Sequence, residues 1–226
     1  MTIKEAQEWL CLHNIFVKVD GQDGPATQAA IRQFQRKNGL PETGIASGDT
    51  AAFLCQPLTS ATNLGGFRAA SPGEAVVTVA QHYLSFHPRE VGGQNRGPWV
   101  RHFMRGNEGD AWPWCCGTVC TILKQASTLA GEMKIKYTAS CDVLAQQAMK
   151  LGAFVVGEKR EDLAPGALFL IRGKVPGDWT HTGIVTNFNV DHYFTIEGNS
   201  NDEGSREGHE LCARIRAYRN VDFIRV

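Results

Sequence analysis

Residues 165–199 read PGALFLIRGKVPGDWTHTGIVTNFNVDHYFTIEGN and contain three short apolar runs, at 167–171, 183–185 and 193–196. The runs are separated by Gly, Pro, Asn and Asp, which are residues that favour turns. Apolar runs of this length that are bounded by turn residues predict β-strands. Because the connections are short, we expect the three strands to form an antiparallel sheet.

Two polar side chains fall on this predicted sheet. His181 lies at the start of the second strand and Glu197 lies at the end of the third. These positions meet at the same end of an antiparallel pair, so a hairpin would bring the imidazole beside the carboxylate. A single histidine on a strand is usually an ordinary surface or core residue, whereas a histidine next to a carboxylate indicates general acid–base chemistry.

A cysteine stands at the start of a predicted helix upstream of the sheet. Apolar residues recur at helical spacing after Pro113, at Val119, Ile122, Leu123 and Ala126. Proline suits the first turn of a helix, so Cys115 is also in that turn. There the helix dipole and free amides favour a thiolate and can lower a thiol pKa from about 8.5 to ~3.5–7.5. The same amides could bind a developing oxyanion.

Cys116 and Cys120 are the competing thiols in this segment. Cys116 points about 100° further round the helix, and Cys120 follows four residues later, so we expect both to face the core. The alternative is that all three cysteines are buried thiols that only pack. A zinc site is disfavoured, because the sequence contains no Cys-x-x-Cys pair.

Four motifs together resemble the CHAP family of cysteine amidases and peptidases, a branch of the papain-like NlpC/P60 group. The motifs are Pro113-Trp114-Cys115, residues 165–169, residues 181–185 and Ile196-Glu197-Gly198-Asn199, and they span most of residues 73–226. The resemblance implies an α+β fold with helices packed on an antiparallel sheet. It also implies that Cys115 is the nucleophile and His181 the general base, that Glu197 and Asn199 orient the imidazolium or polarise the site, and that no cofactor is required and no metal ligands are assigned.

Two positions depart from the family pattern. Ala167 stands where the family often has an acidic residue, and Cys116 stands where a small or aromatic residue often follows the nucleophile. The first departure is expected to matter little for chemistry. The second leaves open which of the two adjacent thiols attacks.

The first 55 residues show the pattern of three short helices. Asp23-Gly24-Pro25-Ala26-Thr27, residues 31–35 and Asn38-Gly39-Leu40 resemble the three-helix peptidoglycan-binding domain found on many wall-degrading enzymes. This resemblance covers nearly all of residues 3–54, and it implies a domain that binds bacterial peptidoglycan without performing chemistry. The alternative is a generic helical bundle that serves as a protein-interaction domain.

Residues 56–72 contain Pro, Ser, Thr and Gly and are predicted to be a linker between a module at 1–55 and a catalytic domain at 73–226. We therefore expect the two domains to be separable. With 42% hydrophobic residues and a net charge of zero, the chain is typical of soluble globular proteins and gives no indication of nucleic-acid binding. The lack of a long apolar run argues against membrane insertion.

The amino terminus has no apolar signal region, and the odd number of cysteines, seven, fits a reducing compartment. We expect synthesis in the bacterial cytoplasm and action on the wall after release. A phage endolysin and a bacterial effector delivered by a secretion machine both fit this route.

Both resemblances lead to the same polymer. They predict an endolysin-like peptidoglycan hydrolase, either an N-acetylmuramoyl-L-alanine amidase or an endopeptidase of the stem or cross-bridge. One alternative is a non-catalytic wall-binding protein with a degenerate papain-like domain. Another is a papain-like amidase that acts on a small amide or a protein. The scissile bond, the host and the oligomeric state are open at this point.

Overall fold

The computed structural model describes residues 1–201 and 208–226, and within them the chain is α+β, as expected. The helices are α1 (Ile3–Leu12), α2 (Pro25–Lys37), α3 (Gly48–Thr62), α4 (Pro72–Leu84), α5 (Pro98–Phe103), α6 (Cys115–Ala130) and α7 (Cys141–Lys150). The strands are β1 (Phe154–Val156), β2 (Leu168–Arg172), β3 (Trp179–Phe188), β4 (His192–Ser200), β5 (Glu210–Ala217) and β6 (Val221–Ile224). Across these two ranges, every helix is too short or too polar to cross a bilayer.

All six strands form one antiparallel sheet in the order β1-β6-β2-β3-β4-β5. The three predicted strands correspond to β2, β3 and β4, and β3 and β4 are longer than their apolar runs. Leu168 lies opposite Ile184, which in turn lies opposite Ile196. All three side chains are buried in the same cluster as the apolar face of α6. The hydrophobic pattern therefore sets both the strand register and the position of α6 on the sheet.

Three helices open the chain, and α1 packs against both α2 and α3. α1 begins with a capping box, in which Thr2 accepts a hydrogen bond from the Glu5 amide and the Glu5 side chain binds the Thr2 amide. α2 begins with Pro25 and ends at Lys37, with Asn38 as its C-cap residue. Gln7 is fully buried and holds the turn that follows α1, because its side-chain oxygen accepts hydrogen bonds from backbone amides of that turn.

The expected linker over residues 56–72 is wrong in its first part, because α3 runs on to Thr62. Pro57 lies inside the helix and cannot donate a backbone hydrogen bond. Leu54 and Ala61 lie two turns apart on one face and are both fully buried. Burial of this face outweighs the loss of one hydrogen bond, so the helix continues through the proline.

The amino-terminal helices pack directly against the rest of the molecule at a contact that we call the junction. Trp9 meets Trp99 edge to face, with ring centroids 6.1 Å apart, and both indoles are buried. Fully buried Glu8 forms an ion pair with Arg101 at 2.5 Å, and Arg101 also binds Glu108 at 2.6 Å. The two sides share one hydrophobic cluster. The two parts are therefore in direct contact, and their separability stays a prediction.

Candidate active site

Cys115 is the first residue of α6, as the sequence predicts. The helix start is fixed by Trp114, whose fully buried ring stacks on Phe103 at 5.6 Å with an interplanar angle of 3°. The Trp114 indole N–H donates a hydrogen bond to Glu90 at 2.8 Å. Only 5% of Cys115 is exposed, so its thiol lies at the base of the site rather than on the surface.

A glycine allows α6 to approach the sheet closely next to this helix start. A Cβ atom at Gly198 of β4 would lie 2.3 Å from the Thr118 hydroxyl and 3.0 Å from the Trp114 ring. Any side chain at this position would push α6 away from β4. Gly198 therefore keeps the start of α6 close to the strand that carries Glu197.

The β3–β4 hairpin brings His181 and Glu197 together, as predicted, with 2.8 Å between His181 Nε2 and Glu197 Oε2. Because Nε2 faces the carboxylate, Nδ1 is the ring nitrogen available to Cys115. Burial lowers the pKa of His181, but hydrogen bonds and charge from Cys115 and Glu197 outweigh burial and raise this pKa to about 9. The imidazole is therefore protonated at neutral pH.

Glu197 is fully buried, and its carboxylate accepts hydrogen bonds from several side chains besides His181. Arg216 donates from Nε to Oε1 and from Nη2 to Oε2, both at 2.5 Å. Thr195 donates to Oε1 at 2.5 Å, and Ser200 donates to Oε2 at 3.3 Å. Burial raises the pKa of Glu197, but Arg216 and His181 outweigh it and lower the pKa to about 2. The carboxylate is therefore ionised at neutral pH.

Asn199 lies two residues after Glu197 at the end of β4. It is buried, its φ is +54°, and its side-chain oxygen has no hydrogen-bond partner within the described part of the chain. Asparagine tolerates this left-handed backbone conformation better than most residues. Glu197 binds Nε2 of His181, and the expected role of Asn199 stays a prediction.

Cys116 and Cys120 face the core, as expected, and a fourth buried cysteine joins them. This residue is Cys141, the first residue of α7, which the sequence reasoning missed. The sulfur of Cys116 lies 3.5 Å from the carbonyl oxygen of Ser140, the capping residue of that helix. The Ser-Cys-Asp start of α7 was the available signal, because serine is a preferred N-cap residue.

Cys115 and Cys141 influence each other directly. A hydrogen bond with Cys141 and burial raise the pKa of the Cys115 thiol, while His181 acts to lower it, and the same contact lowers the pKa of Cys141. Two adjacent buried thiols do not both ionise, so at most one of the two sulfurs carries a negative charge. The hydrogen bond and charge of His181 act to lower the pKa of Cys115, against the opposite effect of Cys141 and burial.

Comparison with known families matches residues 2–54 to the peptidoglycan binding domain family. The match covers α1, α2 and the start of α3 up to residue 54, and it includes the Glu8 and Trp9 side of the junction. It confirms the resemblance seen in the amino-terminal sequence and associates the chain with the bacterial cell wall. Comparisons of the chain with curated proteins and with solved structures gave no significant match. Among the described residues, no group of His, Cys, Asp and Glu side chains is arranged to hold a metal ion.

Proposed function

We propose that this chain is a peptidoglycan hydrolase that cleaves an amide or peptide bond through a thioester on Cys115. One observation supports this most directly: a helix-start thiol adjoins a protonated histidine bound to an ionised glutamate. This arrangement occurs in a chain whose residues 2–54 match a peptidoglycan-binding domain. The order of the three groups, cysteine on a helix followed by histidine and glutamate on adjacent strands, supports a CHAP-like, papain-like domain over residues 73–226.

In the first half of the proposed reaction, the Cys115 thiolate attacks the carbonyl carbon of the scissile bond. The negative charge moves to the carbonyl oxygen, where first-turn amides of α6, including that of Cys115, donate hydrogen bonds, since such amides lack partners within the helix. The oxyanion then collapses and the carbon–nitrogen bond breaks. His181 gives its proton to the leaving amine, which leaves an acyl thioester on Cys115.

Water completes the cycle in the second half. Neutral His181 removes a proton from the water, which attacks the thioester carbonyl. The carbon–sulfur bond breaks, the carboxylic acid product departs, and Cys115 again carries the thiolate beside the His181 imidazolium. Throughout, Glu197 keeps the imidazole oriented and stabilises its charged form.

A purely wall-binding role accounts less well for the buried charges. Placing ionised groups inside a protein costs several kcal/mol each unless they are closely paired, and an apolar replacement of similar shape is often at least as stable. A domain that only packed against the wall would gain nothing from ionised His181 and Glu197 beside a thiol. General acid–base catalysis requires just such groups.

Purified sacculi and mass spectrometry of the released muropeptides test the proposal. The full chain should release soluble fragments, and Cys115→Ala should release none. Cys116→Ala is the matched control, because its thiol packs in the core one residue away, and it should keep most of the activity with some loss of stability. A folded Cys116→Ala variant that is inactive while Cys115→Ala is active would show that the nucleophile is misassigned.

The same spectra identify the bond that is cut. An N-acetylmuramoyl-L-alanine amidase frees stem peptides from the glycan, whereas an endopeptidase leaves shortened peptides attached to the sugar. We further propose that the enzyme is made in the bacterial cytoplasm and reaches the wall after release, as an endolysin or a delivered effector would. Release of fragments by intact wild type but not by Cys115→Ala would separate the hydrolase from a wall-binding protein that lacks catalysis.

A further inference from the structure

Arg216 binds the carboxylate of Glu197, the same group that binds His181. It belongs to β5 and lies opposite Tyr193 of β4. Its side chain is only 21% exposed, and its guanidinium carbon sits 5.1 Å from the centre of the Phe169 ring. The same ring lies 5.8 Å from the His181 ring. Phe169 therefore packs against both cations that bind Glu197.

We infer that Arg216 is a positioning residue, which keeps Glu197 ionised and aimed at His181 so that Cys115 can persist as a thiolate. The catalytic significance of this inference rests on the proposed function. The contacts themselves are independent of that function. They run from Arg216 to Glu197, from Glu197 to His181 and from His181 to Cys115.

Charge balance is the first reason. The reactive form contains two negative groups, Cys115 and Glu197, and one positive group, His181. Arg216 supplies the second positive charge, so the four buried groups together are neutral. Without it, the site would carry a net negative charge in a poorly solvated place, which is strongly unfavourable. Either Glu197 would then take up a proton or Cys115 would remain a neutral thiol.

Geometry is the second reason. The planar guanidinium binds both oxygens of Glu197 at once, which fixes the plane of the carboxylate. With the plane fixed, Oε2 points at His181 Nε2. A lysine at position 216 could supply the charge but not the two-point contact. The charge and the orientation can therefore be separated by experiment.

Other titratable groups also face this chain of contacts. Those near Cys115 come from α6 and α7, and those near Glu197 come from β4 and β5: Cys116, Cys120, Cys141, Tyr193 and Cys212. All are neutral when protonated, and of the described residues that hydrogen-bond to Glu197, His181 and Arg216 are the ones that carry positive charge.

Alkylation of Cys115 by iodoacetamide tests the inference without any substrate. Tandem mass spectrometry reads modification of Cys115 separately from Cys116, at a series of pH values from neutral to about 10. In Arg216→Met, the ratio of the rate at neutral pH to the rate at high pH should fall about tenfold, which corresponds to a shift of one pKa unit. In Arg216→Lys this ratio should fall less, because lysine keeps the positive charge. A variant that was merely loosened would expose the thiol and react faster.

Arg214→Met is the matched control. Arg214 lies two residues away on the same strand, and it binds Ser200 and the Asn201 carbonyl rather than Glu197. Its alkylation profile should equal that of wild type. A folded Arg216→Met variant with the profile of Arg214→Met would overturn the inference.

A double variant tests whether Arg216 acts through Glu197. Glu197→Gln alone should slow alkylation at neutral pH about as much as Arg216→Met, because members of one unit are strongly non-additive. The double variant should then be no slower than either single variant. Losses that multiply would show that the two residues act independently and would overturn the inference.

The test remains decisive if Arg216→Met does not fold. The double variant of Glu197→Gln with Arg216→Met leaves no buried unpaired charge. Its alkylation rate at neutral pH, relative to its rate at high pH, must then be about tenfold lower than that of Arg214→Met. Equal reactivity of Cys115 in the two proteins refutes the inference. Failure of the hydrolase proposal is seen separately. A chain with the expected alkylation pattern that releases nothing from sacculi refutes hydrolysis and leaves the role of Arg216 intact.

Discussion

Replacing Trp9 with alanine should destabilise the whole chain and not only the amino-terminal helices. Trp9 is 3% exposed and packs on Trp99 across the junction. Truncation of a buried tryptophan to alanine typically costs about 3–5 kcal/mol, because apolar contacts are lost and a cavity remains. Typical domains have a stability of about 5–15 kcal/mol, so this one change should remove a large share of it.

Hydrogen exchange measured by mass spectrometry locates the effect along the chain. If one core spans the junction, the most protected amides of α6 exchange only through opening of the whole molecule. A loss of 3–5 kcal/mol should then speed their exchange by about two to three and a half orders of magnitude, since each 1.4 kcal/mol is tenfold. The α6 amides lie in the part of the chain that carries Cys115, far from position 9 in sequence.

Phe16→Ala is the matched control, because Phe16 is an aromatic residue of the same amino-terminal region that is 83% exposed. It should leave the exchange of α6 unchanged. Faster exchange confined to α1, α2 and α3 in Trp9→Ala, with α6 as protected as in the control, would refute the idea of a shared core. It would restore the separable arrangement expected from the sequence.

Three further outcomes follow from the site and the junction. His181→Ala should be nearly as inactive on sacculi as Cys115→Ala. His192→Ala, which removes a partly exposed histidine paired with Asp191, should stay active. An equal loss of activity in the two histidine variants would contradict the hairpin geometry. The pKa of His181 is raised from 6.5 to about 9, so the stability gained from its imidazolium is complete below about pH 6.5 and is lost as the pH rises through 9. The melting temperature and the turnover rate should therefore both decline over that pH range. Values that stay constant up to pH 10 would count against a protonated His181. A fragment of residues 73–226 lacks the Glu8 partner of Arg101 and exposes Trp99, so it should melt well below the full chain and lose activity even on soluble muropeptides; a fragment as stable and active as the full chain would contradict the shared core.

The sequence predicts the central part of the site because its signals are local. The apolar runs at 167–171, 183–185 and 193–196 identify the three strands, and alternation fixes their faces. His181 and Glu197 come together because a hairpin relates them directly. The position of Cys115 follows from the helical spacing of the apolar residues after it. None of these inferences requires knowledge of distant contacts.

Arg216 and Cys141 could not be found in the same way. In β5, Arg214 and Arg216 alternate with the exposed Ala213, Ile215 and Ala217, so the hydrophobic pattern does not indicate that the arginine side of the strand borders a buried carboxylate. Cys141 reaches Cys115 only because the starts of two helices meet. The spacing of the two cysteines in the sequence does not indicate that contact. The continuation of α3 was hidden by Pro57, since a proline ordinarily predicts the end of a helix.

The junction also changes what attachment to the wall would do for the proposed hydrolase. A module on a flexible tether lets the catalytic site search many bonds around one anchoring point. A module packed through Trp9, Glu8 and Arg101 instead holds the Cys115 thiol at one distance and one angle from the anchored glycan. Each binding event then brings very few scissile bonds within reach of Cys115, and the rate of cleavage along the wall depends on how quickly the module dissociates. The fastest lysis should then come from brief attachment, and an amino-terminal module with higher affinity for the wall should slow the proposed hydrolase.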